Sequence, residues 1–205
     1  MKNKILLAGG ILVIALLIAG GLVYFGKYKT TPDLSQEGTT TEEQAEEETV
    51  LTKDIFSITL PAGWTEIAPP VADILVMAID SKEEISEEKI KEVGFQTNLS
   101  VRKDDLSQYE QIYTLAEYVD SIKTSLIQII PGITFTQEKQ GKVEGRNALF
   151  VECESTQEGI DFGTLLVFIE GKDNFLWAIS FNTPKISWPV YQDQFYQTAE
   201  SLRLK

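Results

Sequence analysis

The sequence contains no histidine, and Cys153 is its only cysteine among 205 residues. Because histidine is the commonest general base and the commonest zinc ligand, its absence excludes Ser-His-Asp and Cys-His catalytic sites. A single cysteine excludes an internal disulfide, a cysteine-ligated zinc site and an iron–sulfur cluster. Bases are also scarce, with 18 Lys and Arg against 31 Asp and Glu. The net charge of −13 argues against a nucleic-acid-binding surface, because phosphate contacts need clustered Lys and Arg.

The first part of the sequence contains a long apolar run. Residues 5–26 include no charged side chain, and as a helix they would span roughly 33 Å, enough for a bilayer core of about 30 Å. The alternative is a cleaved signal peptide, whose apolar core is shorter, at about 7 to 15 residues. The only tolerable cleavage site, Ala19-x-Gly21, is followed by further apolar residues. We therefore predict a retained single-pass transmembrane helix at residues 5–26.

Basic residues flank this run on both sides. Lys2 and Lys4 precede it, whereas Lys27 and Lys29 follow it and are themselves followed by acidic residues. The positive-inside rule mildly favours residues 1–4 as a short cytoplasmic tail. The remainder of the protein is then predicted to lie outside the cytoplasm, at the cell membrane.

Residues 27–49 are predicted to form an acidic disordered linker. From residue 30 onward this segment contains no base, and its acids are Asp33, Glu37, Glu42, Glu43, Glu46, Glu47 and Glu48. A segment with so little apolar surface cannot offset the entropy that ordering would cost, and like charges extend it. An acidic ligand for a cation or a basic partner is the alternative, although acidic runs are more typical of solvated spacers.

Residues 50–205 are predicted to form one domain, since their number is close to the most frequent domain size. Alternating or continuous apolar runs predict strands, and glycine-containing turns separate the last four of them, so these should pair as an antiparallel sheet. The predicted strands are 55–60, 71–79, 98–103, 133–140, 147–154, 162–170 and 175–181. A short helix is predicted within residues 81–93.

Two longer helices are predicted on either side of the four-strand run. Thr114 and Glu117 form a capping box before the first helix, and Pro131-Gly132 ends it. Pro189 suits the first turn of the second helix. The apolar stripe of the first helix is Leu115, Tyr118, Val119, Ile122, Leu126, Ile129 and Ile130, and that of the second is Val190, Phe195, Ala199 and Leu202, with Tyr191 and Thr198 at its margins. Each stripe must cover a sheet, so the fold class is α+β, a central antiparallel sheet sandwiched by helices.

The order of the local motifs resembles the PsbP-like superfamily, named for an extrinsic protein of photosystem II and including bacterial relatives. The motifs are Leu60-Pro61-x-Gly63-Trp64, Thr114-Leu115-x-Glu117-Tyr118, Gly145-x-x-Ala148 with the hairpin that follows, and a terminal Ala199-Glu-Ser-Leu-Arg-Leu204. The resemblance spans about residues 50–205. It implies an α/β/α sandwich and a non-enzymatic binding or assembly role outside the cytoplasm, usually at a membrane. Some members bind divalent metal through histidine and carboxylates, and this feature does not transfer to a chain without histidine.

Two groups of carboxylates are the candidates for a weak divalent-cation site. They are Asp104-Asp105 and the cluster Glu83, Glu84, Glu87 and Glu88. Hard cations take six to eight oxygen ligands, but no EF-hand spacing is present. On a helix the four glutamates would form repelling i,i+4 pairs, and a solvated face is the more typical role of such a cluster. The sequence leaves metal binding undecided and identifies no cofactor.

Cys153 alternates with Leu149 and Val151, which predicts a buried side chain. Because reactive thiolates need positive surroundings and Glu152 and Glu154 flank this cysteine, we interpret it as a small core residue.

No combination of residues forms a recognisable catalytic site, so we expect a non-enzymatic, membrane-anchored binding or assembly module with a protein partner in or at the membrane. Two alternatives remain open. One is a carrier that holds a small ligand in a pocket between sheet and helix. The other, less favoured, is a hydrolase that uses two carboxyl groups about 5 to 9.5 Å apart.

Overall fold

The computed structural model describes residues 47–108 and 114–205. The predicted tail at 1–4, the predicted anchor at 5–26 and nearly all of the predicted linker at 27–49 lie outside these ranges. Within the two described ranges, no helix has both the length and the apolar character needed to cross a bilayer.

Ten strands and three α-helices make up the described part of the chain. The strands are β1 Thr49–Thr52, β2 Phe56–Leu60, β3 Trp64–Ile67, β4 Ile74–Asp80, β5 Asn98–Asp105, β6 Thr134–Val143, β7 Arg146–Gln157, β8 Ile160–Glu170, β9 Phe175–Pro184 and β10 Arg203–Leu204. The helices are α1 Glu88–Val93, α2 Leu115–Ile129 and α3 Trp188–Glu200, with short 3-10 turns at Leu106–Gln108 and Lys185–Ser187.

A seven-stranded antiparallel sheet forms the centre of the domain, in the order β3-β4-β5-β9-β8-β7-β6. The predicted α+β class and the predicted central antiparallel sheet are confirmed. Strand β8 is an inner strand and is buried along most of its length, as its continuous apolar sequence predicts.

A second, three-stranded sheet was not predicted. Its order is β1-β2-β10. The central strand, β2, has the predicted alternation and pairs with β1 from the start of the domain and with β10 from its end. Phe56, Ile58 and Leu60 all point into the core from β2. Strand β1 begins at Thr49, a residue that the sequence assigned to the linker.

Helices cover the two faces of the large sheet. On one face α2 packs over an apolar cluster that includes Leu149, Leu166 and Phe168. On the other face α3 and β2 enclose a larger cluster centred on the alternate residues of the same strands, including Phe150 and Val167. Alternation along each strand therefore supplies one core to each helix layer.

Helix α2 begins with the predicted capping box. The Thr114 hydroxyl accepts a hydrogen bond from the Glu117 amide, and the Glu117 carboxylate accepts one from the Thr114 amide. The predicted apolar stripe is wrong at Ile129, because its side chain is 43% exposed. Ile130, also in the predicted stripe, is buried at the helix C-cap, where its backbone is extended.

Helix α3 buries a face that is rotated from the predicted one, because Tyr191 and Thr198, predicted at its margins, are buried. Tyr191, Phe195, Ala199 and Leu202 follow one another at helical spacing and are all buried. Val190 was placed on this face, but it is 77% exposed. Since a helix turns about 100° per residue, the face that Tyr191 defines leaves Val190 pointing to solvent.

Three tight hairpin turns connect β6 to β9, as the sequence predicted. Both central residues have positive φ in each turn: 52° and 76° at Glu144-Gly145, 52° and 72° at Glu158-Gly159, and 55° and 62° at Asp173-Asn174. This is the geometry that matches the twist of the flanking strands and favours glycine and asparagine.

Candidate functional site

Two of the carboxylates that the sequence proposed for a cation, Asp104 and Glu83, make contacts inside the protein, whereas Glu84, Glu87 and Glu88 are exposed as the sequence favoured. Asp104 is buried beneath α2, where its carboxylate pairs with the Arg102 guanidinium and accepts a hydrogen bond of 2.5 Å from the Tyr118 hydroxyl. Asp105 accepts hydrogen bonds from both the amide and the hydroxyl of Ser107. The prediction that the Asp104 side chain is solvated is therefore wrong. Alternation along β5 turns this side chain toward the core.

The glutamate cluster is also arranged differently from the prediction. Helix α1 begins only at Glu88, so Glu83 and Glu84 are not on it and the expected i,i+4 pairs do not form. Glu83 is half-buried and accepts two hydrogen bonds from Thr97, one from its amide and one from its hydroxyl. Burial raises the pKa of Glu83 above its ordinary value.

A second carboxylate lies close to Glu83 and anchors α3. Asp80 accepts a hydrogen bond of 2.6 Å from the Tyr191 hydroxyl. The pKa of Tyr191 is raised, chiefly by burial and next by this bond to Asp80, so the phenol is neutral at physiological pH. The contact fixes the start of α3 to the end of β4.

Glu152 anchors the next turns of the same helix. Its buried carboxylate on β7 accepts hydrogen bonds from Gln192 at 2.8 Å and from the Tyr196 hydroxyl at 2.9 Å. Burial, followed by the bond to Glu152, raises the pKa of Tyr196 to about 12. Within the described residues no group of three or more Cys, Asp or Glu side chains could hold a metal ion.

Cys153 lies where the sequence predicted, in the apolar cluster under α2 with Leu149 and Val151. Burial raises the pKa of its thiol to about 12.

We expect Cys153 to resist alkylation by N-ethylmaleimide at neutral pH in the native protein, because the reagent needs an accessible thiolate. In urea the thiol should react at the rate of a free cysteine. Mass spectrometry of timed samples measures both rates. Equal rates with and without urea would contradict the burial of this side chain.

A groove of about 490 Å³ runs between α3 and the far end of β2. One wall is formed by Val190, Gln194 and Gln197 of α3, and the other by Thr59 and Pro61. The lining is mainly amide and hydroxyl groups, with carboxylates from Glu48 and Asp193. Such a mixed lining suits contact with a protein chain better than enclosure of an apolar small molecule.

Exposed apolar side chains flank this groove. Val190 lies on its rim and is 77% exposed. On the opposite side Val50 is 61% exposed and is the cross-strand neighbour of Thr59. Large apolar residues that remain exposed around one concave surface are a feature of interaction sites.

Sequence reasoning missed this surface. It assigned Val190 to the core and gave no role to Val50. The available signal was the conflict on α3 between Val190 and Tyr191, which cannot both lie at the centre of one helical face.

No protein-family profile matches the sequence, and no curated protein matches it. Solved structures do match. The solution structure of cyanobacterial PsbP from Synechocystis sp. PCC 6803 aligns with a TM-score of 0.58 at 14% identity, over 82% of this chain and 98% of that protein.

Two further structures from other organisms have a similar fold. LpqN of Mycobacterium tuberculosis, described as involved in cell envelope biogenesis, aligns with a TM-score of 0.55 at 9% identity, over 78% of this chain and 91% of its own. The Ran-binding protein Mog1p of Saccharomyces cerevisiae aligns with a TM-score of 0.56 at 11% identity, over 78% and 96% respectively. At these identities the likeness establishes the fold alone, and it confirms the fold that the sequence motifs indicated: the domain has a PsbP-like fold.

Proposed function

We propose that this chain is a single-pass membrane protein whose PsbP-like domain, held outside the cytoplasm by the segment at 5–26 and its acidic linker, binds a protein partner at the membrane. The domain performs no catalysis in this proposal. It acts by positioning its partner close to the bilayer.

The fold neighbours support a binding role. Mog1p is described as a Ran-binding protein and LpqN as involved in cell envelope biogenesis. A shared fold does not transfer a partner, because one fold serves many functions. The partner surface must therefore be argued from this chain's own residues.

The observation that carries the proposal is the groove beside α3 with its exposed apolar rim. Asp80 and Glu152 fix α3 through Tyr191 and Tyr196, so this rim is presented on a rigid element. A preorganised surface loses little entropy on binding, and an apolar residue such as Val190 gains free energy when a partner covers it.

We expect a photo-crosslinking amino acid at position 190 of the full chain, expressed in its native membrane, to form a discrete adduct with one protein. Position 127 provides the matched control, since Ile127 is also strongly exposed but lies on α2, on the other face of the sheet. Gel shift and mass spectrometry of the adducts give the result. Adducts from position 127 and none from position 190 would contradict the proposed surface.

Val190→Asp is expected to weaken capture of that same partner by about tenfold, since a charge would enter an apolar contact. The substitution should leave the free energy of unfolding within about 0.5 kcal/mol, because it is exposed in the isolated domain. Quantitative pull-down with the full chain in detergent measures the first effect, and urea unfolding the second. Unchanged capture would show that the partner binds elsewhere.

A further inference from the structure

A cleft of about 150 Å³ lies at the opposite end of β2 from the groove. Ile55, between β1 and β2, borders it, and so do Arg146 at the start of β7 and Lys172 in the turn between β8 and β9. Three separate turns therefore meet around one cavity. The groove is bordered instead by Thr59 and Pro61, so the two sites do not overlap.

The cleft is basic in a protein that is strongly acidic. Lys103, Arg146, Lys172 and Lys205 line it, and Asp173 is the one acidic residue among its lining residues. Over the whole chain acids outnumber bases by 31 to 18. A local reversal of sign of this kind creates a positive potential that attracts anionic groups which the rest of the surface repels.

Two of these cations are available for a ligand. Within the described residues Lys103 and Lys172 form no ion pair. The Lys103 ammonium lies 3.4 Å from the centroid of the Phe175 ring and 5.7 Å from that of Trp177. These cation–π contacts hold the ammonium in place without neutralising it.

Arg146 adds a donor without an acceptor. Its Nε atom is buried and makes no hydrogen bond to any described residue. The Glu144 carboxylate forms an ion pair with it at 3.7 Å, which is too long for a hydrogen bond, and accepts a hydrogen bond of 2.9 Å from the Leu204 amide. A buried donor without a partner is costly, and an oxyanion in the cleft would satisfy it.

We propose that this cleft binds a glutamate- or aspartate-rich segment of a protein partner. The proposal rests on the proposed function in that the ligand belongs to a protein. Lys103, Arg146 and Lys172 pair with carboxylates of the segment, and the partly exposed ring of Phe175 contacts its methylene groups. Lys205 contributes only its charge and makes no direct contact with the segment, because its ammonium already donates a hydrogen bond of 2.6 Å to the Lys53 carbonyl.

The test is a titration of the full chain in detergent micelles with a fluorescein-labelled, glutamate-rich peptide of about ten residues, a length typical of linear recognition motifs. Fluorescence anisotropy at low ionic strength reports binding. We expect Lys103→Gln/Lys172→Gln to weaken the affinity by about five- to tenfold, as removal of one half-buried and one exposed cation from the cleft should. Arg146→Lys retains the charge but lacks Nε, and we expect a loss of about threefold.

The matched control is Lys89→Gln/Lys91→Gln, which removes the same charge from two exposed lysines of α1. It should weaken binding by roughly twofold or less, because distant surface charges are screened. Equal losses in the two double variants would overturn the proposal, as would saturation of the cleft by inorganic phosphate with no peptide binding.

A chain with its linker acids changed to glutamine tests for occupancy by the protein's own linker. Tighter peptide binding in that chain, dependent on Lys103 and Lys172, would also overturn it.

This titration uses a synthetic peptide, so its failure and the failure of the proposed function are distinguishable. If the peptide does not bind while position 190 still crosslinks to one protein, the cleft proposal is wrong and the binding function stands. If the peptide binds through the cleft and position 190 forms no adduct, the cleft is supported and the groove is not the partner surface.

Discussion

Replacing Phe195 with alanine is expected to lower the free energy of unfolding by about 3–5 kcal/mol. Phe195 is 1% exposed. Its ring centroid lies 4.9 Å from that of Phe181, 5.7 Å from Tyr191, 5.9 Å from Trp188 and 6.3 Å from Trp64. Truncation leaves a cavity between α3 and the sheet that four rigid rings cannot close, so both transfer free energy and packing are lost.

Val190→Ala on the same helix is the control for this prediction. Alanine favours a helix, and the valine side chain is mostly in solvent, so the free energy of unfolding should stay within about 0.5 kcal/mol. Urea unfolding followed by tryptophan fluorescence compares the two variants. A loss below about 1 kcal/mol for Phe195→Ala would mean that this helix is not packed on the sheet as described.

The second large effect is expected at the buried ion pair beneath α2. Asp104→Ala should destabilise the protein by about 3–5 kcal/mol, because it removes the carboxylate that faces both Arg102 and the Tyr118 hydroxyl. The side chains of Arg102 and Asp104 are only 5% and 9% exposed, so water cannot replace the lost partner.

Removal of all the polar groups separates this effect from a loss of packing. Arg102→Met/Asp104→Leu/Tyr118→Phe leaves no buried charge or hydroxyl at the site, and we expect it to recover most of the stability lost in Asp104→Ala. Guanidinium unfolding with a fitted m-value measures both variants. If the triple variant is no more stable than Asp104→Ala, the cost lies in cavity volume and the electrostatic explanation is wrong.

The parts of the fold that the sequence predicted well have local causes. The capping box at Thr114 and the glycine turns at 145 and 159 are short motifs whose backbone geometry depends on neighbouring residues alone. Strands β1, β3 and β10 were missed because each is very short and forms only where a longer strand, β2 or β4, provides a partner. Local propensity does not specify such pairing.

The candidate surfaces could not be predicted from the sequence for a related reason. Lys103, Arg146 and Lys172 are far apart in the chain, and only the register of the sheet brings them to one end of it.

The acidic residues were misjudged for the same reason. Asp104 looked solvated beside Asp105, but the direction of a β-strand side chain depends on which face is covered. A charged residue on a covered face must pair with residues of other elements, and the local sequence pattern does not identify those residues.

The strand order has a consequence for how quickly the domain forms. Strands β6 to β9 pair in succession through tight turns, so this half can assemble from local contacts. Within the sheet, the other half, β3 to β5, joins it through the pairing of β5 with β9, which closes a long loop. Non-local pairing of this kind slows folding, and until it occurs both β5 and β9 expose an open edge that is prone to aggregation. A chaperone that shields β5 until β9 has been synthesised would therefore reduce aggregation of the nascent chain.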